Sequence, residues 1–260
     1  MSLLTPSQDA LRAVFVMKYG DPSACGWGPA MRWRFAYFNP DDWYEALLLG
    51  LVKKDTTWLD VGCGRELFPS NQALGRELSG RCKRLVGVDP DGTLDENPYV
   101  HERVKALFDD WDGGRRFDLI TLRMVAEHVT DPERLLLAIQ RAAAPGARVV
   151  VYTVNKCSPV PLLTSLVPFG LRHKIKHFLW RTQKKDTFPT AFSMNTRARL
   201  ESLFADKGYL EEWFDKLDDC RTLSRFRAGQ WCELVAWKGV RALGLRYPET
   251  CLLGVYRAKN

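Results

Sequence analysis

The stretch Trp58-Leu59-Asp60-Val61-Gly62-Cys63-Gly64 decides the fold class of this 260-residue chain. An apolar run that begins at Thr56 ends in an acid, and two glycines separated by one residue follow. Glycines at such a turn let the backbone bend tightly and let a ligand approach it closely. If a helix comes next, its N-terminal amides face the same ligand. The stretch therefore predicts a strand, a ligand-binding loop and a helix in succession.

A second acid indicates that the ligand is a nucleoside. The next apolar run, Arg84 to Val88, ends at Asp89, twenty-five residues after Gly64. An acid at the end of that strand can accept hydrogen bonds from both hydroxyls of a ribose. A dinucleotide-binding loop carries a glycine three residues after its second glycine, and here that position is Leu67. The loop thus favours a nucleoside without a pyrophosphate.

Strand-like and helix-like segments alternate along the chain after Thr56. The predicted strands are 56–61, 84–88, 101–107, 117–122 and 148–154, with closing strands at 209–217 and 251–258. The predicted helices are 41–52, 71–78, 130–142, 196–207 and 228–243, and the first forty residues predict only irregular structure. Such alternation is typical of a parallel sheet covered on both faces. We predict an α/β fold with a doubly wound, mostly parallel, seven-stranded sheet.

Two segments extend this single predicted domain of residues 1–260. Residues 1–43 form an N-terminal extension, and residues 156–195 are too long for a simple connection between two elements. The second segment follows the carboxyl end of a predicted strand, which is the edge where open α/β sheets bind ligands. We therefore predict a helical cap, or lid, after the fifth strand.

Composition places the chain among ordinary globular proteins, and its positive charge is concentrated in the cap. The chain is 46% hydrophobic and 27% charged, with a formal net charge of +7. Residues 171–185 combine an apolar helical face with six cations and no acid: Arg172, Lys174, Lys176, Arg181, Lys184 and Lys185. This segment is compatible with a solvated helix, with a cap over a phosphorylated or lipid-linked acceptor, or with contact to a membrane surface.

Several classes of protein are disfavoured. The most apolar run, Val160 to Leu171, is interrupted by two prolines and is too short to span a bilayer. The N-terminus does not have the pattern of a secretion signal. Seven cysteines, an odd number without a C-x-x-C pair, predict free thiols in a reducing cytoplasm. His173 and His177 lack an evident third ligand, so no metal is expected.

Later motifs identify the family that the loop resembles. They are Phe117-Asp118-Leu119-Ile120, Glu127-His128-Val129, Asp131-Pro132 and Pro145-Gly146. Together with the glycine loop, they make residues 44–154 resemble class I S-adenosylmethionine-dependent methyltransferases of the small-molecule type, similar to methyltransferase types 11 and 12. The segment Arg34 to Tyr44, with Asn39-Pro40-Asp41, is also similar to methyltransferases of bacterial surface-glycan gene clusters.

The resemblance implies S-adenosylmethionine as the cofactor and a set of residues that bind it. Within the set, Asp60 would bind the amino group, Asp89 the ribose hydroxyls, and Thr121 to Met124 would line the methionine end. Glu66 replaces a third loop glycine that many relatives carry, and Leu107 replaces an acid for the adenine amine, so Asp109 is the nearest substitute. The full set is Asp60, Gly62, Cys63, Gly64, Asp89, Pro90, Asp109, Thr121, Arg123 and Met124.

His128 is the candidate catalytic base, because it follows the fourth strand at the ligand edge and an oxygen acceptor must lose a proton. We expect a small-molecule acceptor, with a glycan or lipid-linked intermediate as the leading class. The sequence Thr121-Leu122-Arg123-Met124 lacks the Asp-Pro-Pro-Tyr pattern of amino-directed nucleic-acid enzymes, so nucleic acid is an unlikely acceptor. An RNA methyltransferase and a non-catalytic cofactor-binding protein remain as alternatives, and the oligomeric state stays open.

Overall fold

One seven-stranded sheet organises the residues that the computed structural model describes, which are 4–114, 116–158 and 190–259. The strand order is β3-β2-β1-β4-β5-β7-β6; β7 is antiparallel to both neighbours and the other pairs are parallel. The strands are β1 Thr57–Val61, β2 Arg84–Val88, β3 Glu102–Val104, β4 Phe117–Arg123, β5 Ala143–Val154, β6 Tyr209–Asp218 and β7 Glu249–Ala258. This arrangement confirms the predicted doubly wound, mostly parallel sheet.

Helices cover both faces of the sheet. They are α1 Gln8–Tyr19, α2 Trp27–Phe35, α3 Pro40–Leu51, α4 Gln72–Arg81, α5 Pro132–Ala142, α6 Arg197–Asp206 and α7 Arg227–Ala242. Successive side chains of a strand point to opposite faces. In β1, Leu59 packs in the core on the α5 and α6 side, and Trp58 packs in the core on the α3 and α4 side. The buried strands are therefore apolar on both faces, as a covered parallel sheet requires.

The N-terminal segment differs from the prediction. The first forty residues were expected to be irregular, but they form α1 and α2. Ser7 caps α1 by accepting a hydrogen bond from the amide of Ala10, and Gly20 ends the helix. Because α1 buries only Leu11, Val14 and Phe15, its apolar stripe is too short to stand out among the surrounding aromatic residues.

Two strands and the cap depart from their predicted bounds. β3 contains three residues instead of seven, and β5 begins at Ala143 rather than at position 148. The motif Pro145-Gly146 lies within β5, where Gly146 has a φ of 72° and the register with β4 shifts. Most of the predicted cap, including its basic segment 171–185, lies outside the described residues. No helix among the described residues is long and apolar enough to cross a membrane.

A buried ion cluster joins the N-terminal helices to the sheet-covering helices. Lys18 of α1 lies 2.8 Å from Asp42 and 2.7 Å from Glu45, both on α3, and all three side chains are almost fully buried. Arg32 of α2 adds a contact of 3.3 Å to Asp42. Asn71, which caps α4, donates to Glu45 at 2.8 Å. Burial raises the pKa of Glu45 to about 7, although Lys18 opposes this effect.

We expect Lys18→Met to lower the free energy of unfolding at pH 7 by about 3–5 kcal/mol, because it leaves two buried carboxylates without their shared cation. Lys105→Met is the matched control, since its ion pair with Asp95 is half exposed, and it should cost less than about 1 kcal/mol. Urea unfolding measures both. Equal losses in the two variants would show that the buried cluster does not hold α1 in place.

Candidate active site

The glycine loop lies at the carboxyl edge of the parallel strands, between β1 and α4. Gly62 and Gly64 have φ values of 68° and 47°, in the left-handed region that favours glycine. The amide of Gly62 donates to the carbonyl of Val88 at 2.8 Å, which ties the loop to β2. A Cβ at Gly62 would lie 2.3 Å from a methyl carbon of Val125, in the loop after β4. Glycine is therefore required here by both conformation and space.

Asp60 is a buried acid held between two neighbouring strands. It pairs in register with Thr121 of β4, whose hydroxyl oxygen lies 2.5 Å from its carboxylate. The indole nitrogen of Trp58 donates to the same hydroxyl at 2.8 Å. Burial raises the pKa of Asp60 to about 7, while the Thr121 hydrogen bond and the charge of Arg123 lower it and Asp89 raises it. A ligand cation beside this carboxylate would relieve the cost of burying its charge.

Asp89 closes the other side of the loop. Its two carboxylate oxygens accept hydrogen bonds from the amides of Gly64 at 2.9 Å and Asp91 at 2.8 Å. The side-chain amide of Asn97 donates to the carbonyl of Gly64 at 3.0 Å, which gives the loop a further hydrogen bond. Asp89 remains half-buried at the end of β2, and the neighbouring Pro90 is exposed. The two acids thus border the loop at adjacent strand ends.

Thr121 and Cys63, two of the predicted cofactor-binding residues, are buried next to the glycine loop. Thr121 is fully buried, and its hydroxyl donates to the carboxylate of Asp60. Cys63 is also buried, and a Cβ at Gly87 would lie 2.5 Å from its sulfur. Burial raises the pKa of the Cys63 thiol well above its ordinary value. Both side chains are therefore buried beside the glycine loop, and their predicted place in the cofactor site stays a prediction.

Arg123 and Met124 are half-buried at the end of β4, on the same edge as the loop. Met124 has a φ of 54°, and its amide donates to the backbone carbonyl of Tyr152 in β5 at 2.8 Å, so the chain turns sharply at this point. Asp109 belongs to a different contact. Its carboxylate lies 2.9 Å from the guanidinium of Arg134, on α5. The structure therefore brings Arg123 and Met124 to the edge but places the contact of Asp109 elsewhere.

His128 lies in a loop that is tied to the described end of the cap. Its amide donates to the carbonyl of Val125 at 2.9 Å, and its side chain is half-buried. The carboxylate of the preceding Glu127 accepts from Thr153 at 2.7 Å, and its carbonyl accepts from Ala191 at 2.8 Å. Glu127 therefore links the His128 loop to β5 and to residues 190–195.

A polar cluster near the same edge escaped sequence reasoning. Tyr152 donates to Asp41, at the start of α3, over 3.1 Å, and Arg221, which follows β6, donates to the other oxygen of Asp41 over 2.6 Å. Arg221 also binds Asp219 at 2.7 Å. Because 180 residues separate Asp41 from Arg221, the only signal in the sequence was the Asn39-Pro40-Asp41 motif.

Comparison with known proteins identifies the family of this site. A family model described as "Methyltransferase domain" matches residues 32–210, which include the glycine loop, Asp89 and the His128 loop. The chain belongs to this methyltransferase family. The cofactor of the family is S-adenosylmethionine.

Relatives and solved structures agree with this assignment. The chain is 29% identical over 138 residues to a ubiquinone biosynthesis O-methyltransferase of Pectobacterium atrosepticum, covering 46% of this chain and 55% of that protein. It is 31% identical over 143 residues to the enzyme of the same name from Pseudoalteromonas translucida, covering 50% and 59%. The fold is similar to geranyl diphosphate C-methyltransferase of Streptomyces coelicolor, with a TM-score of 0.51, 16% identity and coverages of 82% and 74%. The chain thus spans little more than half the length of these two curated relatives.

We expect Asp60→Asn to weaken binding of S-adenosylhomocysteine at least tenfold, because the variant lacks the carboxylate that is predicted to form a charge-assisted hydrogen bond with the ligand's ammonium. The same variant should stabilise the ligand-free protein above pH 7. Because the pKa of Asp60 is raised on folding, its charged form lowers the free energy of unfolding by roughly 4 kcal/mol above pH 7. This cost decreases as the pH falls from about 7 to about 4, and it is absent at lower pH. Calorimetry, and urea unfolding at pH 8 and pH 5, test both effects.

The exposed Asp118, at the opposite end of β4, supplies the control, and Asp118→Asn should leave the affinity unchanged. An Asp60→Asn protein that binds normally, or that is less stable than the wild type at pH 8, would contradict this account of Asp60.

Gly62→Ala should destabilise the protein by about 2 kcal/mol and weaken cofactor binding, because of its positive φ and the close methyl of Val125. Adding Val125→Ala should restore part of the stability by removing the clash. The control is Gly80→Ala in α4, where a Cβ meets nothing within 4 Å, and it should be neutral or stabilising. Urea unfolding of all variants measures this, and equal effects at Gly62 and Gly80 would contradict it.

Proposed function

We propose that this protein transfers the methyl group of S-adenosylmethionine to an oxygen atom of a small molecule. The observation that carries the proposal is the glycine loop between Asp60 and Asp89, at the sheet edge that also holds the His128 loop. The curated relatives named above are O-methyltransferases, which favours an oxygen acceptor. Because they are matched over little more than half their length, ubiquinone precursors are not carried over as substrates.

The loop residues suit the parts of this cofactor. The carboxylate of Asp60 provides a counter-charge for the amino group, and Asp89 provides acceptors for the ribose hydroxyls. Gly62 and Gly64 allow the ligand to lie against the backbone. Pro90 flanks the adenine, while Arg123 and Met124 border the methionine end. We leave Asp109 out of this set, because its carboxylate is paired with Arg134.

The cofactor supplies an electrophilic methyl group on a sulfonium, so the protein mainly orients the acceptor in line with it. An acceptor hydroxyl must also lose its proton. We propose that His128 takes this proton, since its loop is held at the edge by Glu127 and by the close packing of Val125 against Gly62. Its position is thus coupled to the conformation of the glycine loop.

We further propose a glycan or lipid-linked acceptor and a cytoplasmic location. The acceptor is supported by the six cations between Arg172 and Lys185, which suit a phosphorylated or lipid-linked molecule. This segment lies outside the described residues, so its support comes from the sequence alone, as does that for its contact with a membrane surface. The location is supported by the seven cysteines, all of which are free thiols.

The proposed reaction is tested with radiolabelled S-adenosylmethionine and a panel of a soluble catechol, methyl glycosides, a bacterial lipid extract and bulk RNA. Methylation of an oxygen in a small molecule or lipid supports the proposal. Methylation of RNA alone would replace it with the RNA alternative. Tight binding of S-adenosylhomocysteine without transfer to any acceptor would favour a non-catalytic cofactor-binding protein.

With the acceptor that the panel identifies, His128→Asn should lower kcat by about 10²–10⁴ and leave the affinity for S-adenosylhomocysteine unchanged. It should also change the pH profile of kcat, because the variant has no group at this position that can accept the proton. His101→Asn is the matched control, because His101 accepts a hydrogen bond from the amide of Leu85 and should affect stability only. A His128→Asn enzyme with wild-type kcat and pH profile would exclude His128 as the base.

A further inference from the structure

An apolar helix face lies exposed at the ligand edge. Of the ten exposed large apolar side chains in the described residues, six fall between positions 223 and 245: Leu223, Phe226, Trp231, Val235, Leu243 and Leu245. Trp231 and Val235 are 49% and 40% exposed on α7, and Leu243, just after the helix, is 76% exposed. Such clustering differs from the scattered apolar residues of an ordinary protein surface.

The spacing on α7 shows that this face is continuous. Exposed residues without charge recur every three or four positions along the helix, which places them on one side. We call them the outer face: Ala228, Trp231, Cys232, Val235, Ala236, Gly239 and Ala242. The opposite side of α7 is packed on the protein. There the indole nitrogen of Trp237 donates to the carboxylate of Asp218 at 2.6 Å, and the ring centroids of Trp237 and Tyr37 lie 5.0 Å apart. The helix is thus anchored on one side and presents an apolar surface on the other.

The exposed charges of α7 itself are positive. Residues 220–248 contain six cations and a single acid, Glu233, although Arg221, Arg241 and Arg246 form ion pairs with Asp219, Asp218 and Glu249 just outside this range. Glu233 is 6% exposed, and it accepts hydrogen bonds from the amides of Thr222 and Leu223. By contrast, Arg227, Lys238 and Arg241 are exposed beside the outer face. An apolar helix face bordered by cations is the pattern of a helix that lies in the interface of an anionic bilayer.

The topology places this helix at the ligand edge. β6 is antiparallel to β7, which is antiparallel to β5, so β6 ends at the same edge as β5. Leu217 near the end of β6 and Val154 at the end of β5 both pair with Cys251 of β7. α7 connects β6 to β7 and therefore lies on the edge that carries Asp60 and the His128 loop.

We propose that the outer face of α7 docks the protein on an anionic lipid surface, with Arg227 and Lys238 contacting the head groups. Charge favours lipid over the other possible occupants. A second copy of the chain would bring a second set of these cations, and residues 171–185 are themselves cationic. Docking here turns the ligand edge toward the bilayer. Docking on lipid does not depend on the proposed function. Only the further idea that the bilayer delivers a lipid-linked acceptor rests on the proposed function.

The test is co-sedimentation with phosphatidylcholine vesicles that contain or lack phosphatidylglycerol, with no cofactor or acceptor present. Binding to the anionic vesicles is expected, and Trp231→Glu/Val235→Glu should weaken it more than tenfold. Arg227→Gln/Lys238→Gln should weaken it by a similar factor, since each cation near an anionic surface contributes about fivefold. Val16→Glu/Leu137→Glu is the matched control, because both residues are exposed on helices elsewhere, and it should bind normally.

Cys232 on the outer face identifies the occupant directly. In a Cys25→Ser/Cys157→Ser background, the remaining cysteines apart from Cys232 are buried, so maleimide labelling reports on this face. Slowing of the labelling by anionic vesicles supports the proposal. Protection that rises with protein concentration without lipid would assign the face to a second copy, and protection of the dilute monomer would assign it to another segment of the chain. Absence of vesicle binding overturns the proposal whether or not the protein methylates an acceptor.

Discussion

The hydrogen bond between Asp60 and Thr121 is the interaction on which the site depends. It joins β1 to β4 in the middle of the sheet, and Trp58, two residues before Asp60, donates to the same hydroxyl. A buried carboxylate is costly unless it is paired, and here burial raises its pKa to about 7. The fold therefore buries the carboxylate of Asp60, and a cationic ligand beside it would stabilise its charged form. Such perturbed acids are frequent at binding sites.

The edge above this bond is assembled from short, tightly connected loops. The glycine loop packs against Val125, the loop after β4 reaches the described end of the cap through Glu127, and Asp89 anchors Gly64. Each contact joins segments that lie far apart in the chain. A displacement at one loop is therefore passed to its neighbours, because close-packed loops have little free space to absorb it. The glycine loop and the His128 loop are linked by this packing.

The surrounding helices add further polar contacts. The ion cluster around Lys18 attaches α1 to α3, while Asp41, Tyr152 and Arg221 join α3 to β5 and to the segment after β6. Both sets surround the ligand edge and limit its shape. α7, which follows Arg221, completes this rim and carries the exposed apolar face. The N-terminal helices and the connection from β6 to β7 thus frame the ligand edge of the sheet.

The sequence by itself determined the sheet, the glycine loop and the positions of Asp60 and Asp89, because these follow from apolar runs, glycines and acids at short spacing. It did not predict α1 and α2, since α1 buries only three apolar residues and the buried residue of α2 is Arg32. Only the tertiary structure decided that Thr121 lies behind Asp60, that Asp109 pairs with Arg134, and that Asp41 meets Arg221. Side-chain direction and contacts between distant residues depend on how the strands and helices pack, which local spacing does not encode.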